Sequence, residues 1–419
     1  MGFVFRLALK NLARHRLRTI VSIAAIAVCV MVVVFARGLV EGIINSVIND
    51  HIYYNSGHIK VIDRQYREQE RLLPLNYPVD GLAGGSLDEM MAELEGIEQV
   101  EMVIPRLKFG AMISTEAELV IMTGWGIDSE KELEFTNIED HLAQGRMPSP
   151  GKLEVVMGTK LLEKIGRQVG DKVTIVFSTA FGSLNGVTFT IVGRLHTGLQ
   201  LLNEYVFFLP IDQAQRLLYM EGQVTELLLV TKHLNSVPQV LPSVESLIAG
   251  KGEAERYGAL SYREANDMIA WADIGKAIYN VIYVFLILLA CIVVINTMLM
   301  IVQERTREIG TMSALGVERR GIVQLFLVEG GIMGIVGSFI GALLGGGLNA
   351  YLAQAGLDFT ADLEGVSAEV LFDTMVYPES SWTNAVFAFI LGVVIVTLSC
   401  LIPARRAANL EPTVAMRDA

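Results

Sequence analysis

The chain of 419 residues is short of the residues that do chemistry. Its three cysteines, Cys29, Cys291 and Cys400, each lie inside an apolar block. No pair is at hand for a disulfide, so cysteine is silent about redox compartment. No G-x-x-x-x-G-K-[ST] occurs anywhere, which leaves the chain without a phosphate loop of its own. His51, His58, His141, His196 and His233 are scattered, and none has a partner at metal-ligand spacing. Nothing resembles a nucleophile elbow or a Cys/His arrangement. Together these absences argue against a catalytic, metal or cofactor site within the chain. Charge is also scarce. Asp, Glu, Lys and Arg make up 19% of the residues, against roughly 25% in an ordinary soluble chain. The formal net charge of −12 argues against a nucleic-acid partner.

Apolar residues, by contrast, reach 52% and the mean hydropathy is +0.46. The excess falls in four blocks long enough to cross a bilayer, which takes about 20 residues each. The expected spans are residues 19–42, 276–302, 322–353 and 385–402, the last stopped by Pro403. The first block follows a basic leader, as a signal peptide would. Its apolar run exceeds a usual signal core and no A-x-A site follows, so it reads as a retained span. Flanking charge sets the expected orientation. The basic, amphipathic leader 1–18 carries Arg6, Lys10, Arg14, Arg16 and Arg18 and no acid. The loop 303–321 carries Arg305, Arg307, Arg319 and Arg320, and the tail 403–419 carries Arg405, Arg406 and Arg417. The loop 354–384 has Asp358, Asp362, Glu364, Glu369, Asp373 and Glu379 and no Lys or Arg. Both termini and the loop 303–321 are therefore expected in the cytoplasm, and residues 43–275 and 354–384 outside.

The fold class expected is a membrane α-helical protein, with four transmembrane helices and a large α+β extracytoplasmic domain. The first helix is expected to continue past the bilayer, because Leu39, Ile43, Val47 and Ile48 keep helical spacing. HIKVID reads as a strand. Ser86–Val100 reads as a helix, with Ser86 as its cap and Glu89 three residues on. VEMVIPRLKFGAMIS with AELVIMTGWGID, and VTIVFST with VTFTIVGRLH around a Gly-Ser-Leu-Asn-Gly turn, read as strand pairs. TELLLVTK, a helix and a short strand near Ala259–Tyr262 repeat the first strand–helix–strand unit. The domain thus reads as two β-α-β halves with a β-rich insert at about residues 125–210.

Three features of the membrane half stand out. In VQERTREIGTMSALGVERRG, Glu304 and Arg307 are three residues apart, the spacing of one helix face. A short helix there would be closed by Gly316. This segment suits docking on a cytoplasmic protein, and it equally suits a solvated loop that obeys the positive-inside rule. In the third span, Gly330, Gly334, Ser338, Ala342 and Gly346 form one row at four-residue steps, and Gly337, Gly341 and Gly345 a second. Small residues at this spacing allow close helix packing, within the subunit or against a second copy. Glu329 lies about two turns inside the same span, with Arg305, Arg307 or Arg320 as expected partners.

LALKNLARHRLRTIVSIAAIAV at the start, ERTREIGTMSALGVERRGIVQLFLVEG from Glu304 and PARRAANLEPTVAMRD from Pro403 carry a family resemblance. With the order of one span, a large outer domain and three further spans, the chain resembles ABC-transporter permeases of the MacB/FtsX superfamily. NSGHIKVID resembles the corresponding segment of the lipoprotein-releasing LolC/LolE branch. The resemblance implies an FtsX-like permease domain at 276–412 and a MacB-like core outside, with porter-like halves and a sabre-like insert. It implies a dimer with a second permease copy or paralogue, and a separate cytoplasmic ABC ATPase that holds the ATP and Mg. By the same resemblance, Glu304, Arg305, Thr306, Arg307, Glu308, Gly310, Thr311, Ala314, Leu315 and Gly316 would form the element that couples to the ATPase. The location implied is the inner membrane, in multi-pass form. The function implied is lipoprotein release by mechanotransmission, with a periplasmic carrier or adaptor as a further partner. MacB-like efflux and FtsX-like signalling to a cell-wall hydrolase are the alternatives.

Overall fold

A computed structural model describes residues 2–14, 16–115, 119–136, 138–197, 199–265, 267–359 and 375–410. The chain divides into two compact units. One comprises Met1–Ile44, Ala272–Asp358 and Val376–Ala419, the other Asn45–Trp271 and Phe359–Met375. Helix α1 (Gly2–Arg14) is followed by α2 (Arg16–His51), whose 36 residues run unbroken out of the first unit into the second. At 1.5 Å per residue α2 is about 54 Å long, well beyond a hydrocarbon core of about 30 Å. The helix therefore continues past its apolar stretch, as the spacing of Leu39 to Ile48 predicts. It ends in a π turn, Ile52–Ser56, closed by Gly57 in a positive-φ conformation (φ 60).

The outer unit begins with β1 (Ile59–Asp63), α3 (Arg64–Gln69), α4 (Leu87–Glu95) and β2 (Val100–Ser114). The capping box of α4 forms as expected: Ser86 Oγ accepts from Glu89 N at 3.2 Å, and Glu89 Oε2 accepts from Ser86 N at 3.3 Å. The helix stops at Glu95 and does not reach Val100. Its buried face, Leu87, Met90 and Leu94, is complete by then, and the chain turns back through Gln99 at positive φ (74). Then follow β3 (Leu119–Ile127), α5 (Ser129–Thr136), β4 (Leu142–Gly145), β5 (Glu154–Gly158) and α6 (Thr159–Ile165). After these come β6 (Lys172–Ser178), β7 (Leu184–Leu195), α7 (Gln200–Tyr205), β8 (Val206–Pro210) and α8 (Ile211–Leu218). The unit closes with β9 (Glu226–Thr231), α9 (Val237–Gly250) and β10 (Tyr257–Ser261).

β10, β1, β9 and β2 are neighbours in that order, each pair antiparallel. Two β-α-β halves, β1-α4-β2 and β9-α9-β10, thus interleave as in a ferredoxin-like split unit. The insert is not a detached lobe. β2 is 15 residues long; its first half pairs with β9 and its second half with β3. The same sheet continues through β8, β5, β7 and β4, with β6 bridging β2 and β7. Trp125, where the sequence placed the start of the insert, therefore lies inside β3. The β6–β7 turn is Thr179–Ser183, and most of the Gly-Ser-Leu-Asn-Gly motif belongs to β7. Alternate residues of β9 serve two cores. Leu227 and Leu229 pack with Met90, Val240 and Val244 of α4 and α9. Leu228 and Val230 pack with Ile52 of the π turn and Phe135.

The membrane unit continues with α10 (Asp267–Glu304), α11 (Thr306–Ala314), α12 (Arg319–Ala355), α13 (Trp382–Ser399) and α14 (Leu401–Ala408). Among the described residues, four stretches are long and apolar enough to cross a membrane: Arg16–Ser56, Ile274–Glu304, Arg319–Ala355 and Trp382–Ala408. Ile26, Val30, Val294, Met298, Phe326, Met333 and Val396 form their common core. Pro403 does not end the fourth helix. It sits in the first turn of α14, where its missing N–H costs no helical bond. Asp362, Glu364, Glu369 and Asp373 of the acidic loop, and Arg417 of the tail, lie outside the described residues.

Candidate functional site

α10 ends at Glu304, and Arg305 leaves helical geometry (φ −100, ψ 14) before α11 begins. Thr306 Oγ1 caps the corner by donating to the Gln303 carbonyl at 2.7 Å. This break turns Arg305 inward, where it is 5% exposed. Its Nη1 donates to Glu329 Oε1 at 3.2 Å and its Nε to Glu308 Oε2 at 3.0 Å, and the guanidinium lies over the Phe326 ring. Glu329 is 2% exposed and also accepts from Asn11 Nδ2 of α1 at 2.7 Å. Arg14 pairs with Glu308 at 2.7 Å, and Arg18 pairs with Glu304. Burial alone would raise the Glu308 carboxyl, but Arg305 and Arg14 outweigh it and hold it below the ordinary range.

Glu329 thus takes Arg305 from the three expected partners. The expected Glu304–Arg307 pairing does not fit, because the break at Arg305 puts the two residues on different helices. The hydrogen-bond partner Asn11 and the ionic partners Arg14 and Arg18 escaped sequence reasoning, although an acid-free basic leader beside a loop carrying Glu304 and Glu308 is a legible sign of complementarity.

α11 ends as the sequence predicts. Val317 N donates to the Met312 carbonyl and Gly316 N to that of Ser313, each at 3.1 Å, with Gly316 at φ 87. This is a Schellman closure, which favours glycine at that position. Ile309 and Gly310 are buried, whereas Arg307, Thr311, Ala314 and Leu315 are exposed at i, i+4, i+7 and i+8. Leu315, an apolar side chain at the end of that face, is 81% exposed. One side of α11 is therefore locked to the membrane helices, and the other is open.

Both rows of small residues in α12 are filled from within the chain over Gly330–Gly345, while Gly346 at the end of the first row meets open space. A Cβ on Gly334 would stand 3.3 Å from Val396, and one on Gly330 would strike Cys400. Cβ atoms on Gly337, Gly341 and Gly345 would stand 2.8 Å from Ile26, 2.5 Å from the Ala27 carbonyl and 2.8 Å from the Met31 carbonyl. One row seats the fourth span and the other α2. The reading of these glycines as a contact with a second copy is corrected accordingly, since the space they leave is occupied by this chain's own helices.

The outer unit holds a buried charge network that the sequence reading passed over. Lys60 on β1 bonds Glu226 on β9 at 2.7 Å and Glu70 at 2.5 Å, and Lys108 on β2 bonds Glu226 at 2.7 Å. Arg106 grips Glu132 through two bonds, at 2.5 and 3.1 Å, and donates to the Tyr53 carbonyl of the π turn at 2.8 Å. Burial would raise the Glu226 carboxyl, yet Lys108 and Lys60 hold it at about 2. Burial, with Lys60 and Arg106 nearby, lowers Lys108 to about 8 despite Glu226. The available signal was a charge within a largely apolar strand, such as Lys60 in IKVID and Glu226 in ELLLVT.

Residues 19–247 match the MacB-like periplasmic core domain and residues 280–412 the FtsX-like permease C-terminal domain. The chain belongs to the MacB/FtsX family of ABC-transporter permeases. It is similar to the lipoprotein-releasing system transmembrane protein LolC of Neisseria meningitidis serogroup B, 22% identical over 75% of this chain and 77% of that one. It is likewise similar to LolE of Haemophilus influenzae, at 24% over 75% and 76%. The macrolide export ATP-binding/permease protein MacB of Nitrobacter winogradskyi is 24% identical over 98% of this chain and 59% of its own length. Among solved structures, the periplasmic region of MacB from Actinobacillus actinomycetemcomitans aligns with a TM-score of 0.35 and 11% identity, over 51% of this chain and 92% of that one. Members of the family are the permease part of ABC transporters, work with an ATPase and typically form dimers.

Proposed function

We propose that this chain is the permease subunit of a lipoprotein-releasing ABC system in the inner membrane, with both termini and α11 in the cytoplasm. ATP and Mg sit on a partner ATPase, which docks on Arg307, Thr311, Ala314 and Leu315. The observation that carries the coupling reading is the two-sided α11, open along that face and tied through Arg305 to Glu329 on α12. A push on the open face acts on a buried ion pair and so on the spans, and α2 carries the motion outward. LolC and LolE, each similar over about three quarters of this chain, support lipoprotein as the cargo. The MacB relative, aligned over 98% of the chain, supports efflux as the second reading.

The test has two parts. Replacing Thr311–Leu315 with a Gly-Ser stretch should leave membrane insertion intact and release the ATPase in mild detergent. An ATPase that still co-purifies at the native ratio refutes the docking site. In spheroplasts, depletion of the chain should leave lipoproteins in the inner membrane; normal lipoprotein release with failed export of another substrate selects the efflux reading.

A further inference from the structure

At the same end of the spans, the start of α12 and the body of α14 enclose a pocket of about 310 Å³. Arg319, Arg320 and Arg405 line it, with Asn409 at the rim and Val323 and Ala408 in the wall. Arg319 Nη1 reaches Asn409 Oδ1 at 3.4 Å, and among the described residues no carboxylate pairs with any of the three arginines. The pocket lies at the start of this 37-residue helix, whose N-cap residue Glu318 makes no side-chain cap bond. Arginines from two helices line one small volume. Exposed apolar side chains lie near Arg405 along the chain. Ile402 lies three residues before Arg405 on the same helical face, with Leu398 one turn further, and they are 51% and 56% exposed.

We propose that this pocket binds the phosphate headgroup of an anionic phospholipid, with an acyl chain lying along Ile402 and Leu398. Three fork-shaped cations suit phosphate oxygens, and basic pockets beside the inner ends of membrane helices are suited to such headgroups. A protein carboxylate would satisfy the charges but would leave the apolar stripe below them unused. The inference rests on the reading that this end of the helices faces the cytoplasm.

The full chain, in nanodiscs of phosphatidylcholine with or without cardiolipin, would be extracted into mild detergent and its retained phospholipid measured. Cardiolipin should stay with the native chain. The triple variant R319Q/R320Q/R405Q should hold it on the order of 100-fold more weakly, as expected from three surface cations. R405Q alone should show a partial loss, and R16Q, outside the pocket, none. A second arm adds inorganic phosphate alone; if phosphate protects the pocket as well as cardiolipin does, the ligand is a free anion and the lipid assignment fails. ATPase co-purification is followed in parallel. Unchanged cardiolipin with loss of the ATPase in the triple variant would assign the arginines to the partner protein and overturn the proposal. Failure of the native chain to bind any ATPase would refute the docking reading of α11 and leave the lipid result standing.

Discussion

The ion pair between Arg305 and Glu329 makes an asymmetric prediction. Arg305 has two carboxylate partners, Glu308 and Glu329. Arg305→Met takes a bonded cation from the buried Glu329 carboxylate, and breaking a buried pair from one side costs about 3–5 kcal/mol. Glu329→Gln is gentler. The amide oxygen can still accept from Arg305 and Asn11, and Arg305 keeps Glu308, so the loss should be about 1–2 kcal/mol. Arg305→Met with Glu329→Leu removes both charges and should return most of the stability, since an apolar replacement of a buried pair is often neutral. The measurement is a thermal or denaturant unfolding series on the chain in detergent. With roughly 2–4 °C per kcal/mol, Arg305→Met should fall several degrees below Glu329→Gln and the double variant should recover. Equal losses in the two single variants, or a double variant as weak as Arg305→Met, would refute the argument. The double variant also separates architecture from coupling: if the charges work in the cycle, it should be stable yet fail to stimulate the partner ATPase.

Gly341→Ala should cost about 1–3 kcal/mol by overpacking, because its Cβ would stand 2.5 Å from the Ala27 carbonyl, while Gly347→Ala meets open space and should be neutral or stabilising; equal unfolding midpoints would refute the packing account. Glu226 is held at about 2, below its ordinary 4.5, so its contribution to stability is present above that value and is lost as pH falls through it toward 2. Glu226→Gln should therefore flatten the acid limb of the stability curve, and an unchanged limb would count against the network. A cysteine at Ser178 should react with an impermeant thiol reagent on spheroplasts and one at Thr311 should not; labelling at Thr311 would invert the topology.

Much of this architecture is legible because its signals are local. The spans stand out by apolar length, the α4 cap by Ser86 and Glu89, and the end of α11 by Gly316, the residue a left-handed closure favours. The β-α-β halves could be counted from alternation and turns. Their interleaving could not, because nothing in β1 says that β9 and β10 will flank it. Glu304 and Arg307, three residues apart, also read as one helix face. A single non-helical residue at Arg305 separated Glu304 from Arg307, and propensity does not see such a break.

The sequence by itself determined four spans, one large α+β domain between the first two, and a charged element between the second and third. Each of these depends on composition or periodicity along a continuous stretch. Only the tertiary structure decided where the small residues of α12 point, since a stripe that permits close packing does not say which helix will fill it; here α2 and the fourth span do. Only the tertiary structure, too, buried Lys60, Lys108 and Glu226 together, because a charge in a strand finds its partner across the sheet, over separations of more than a hundred residues that no local pattern encodes.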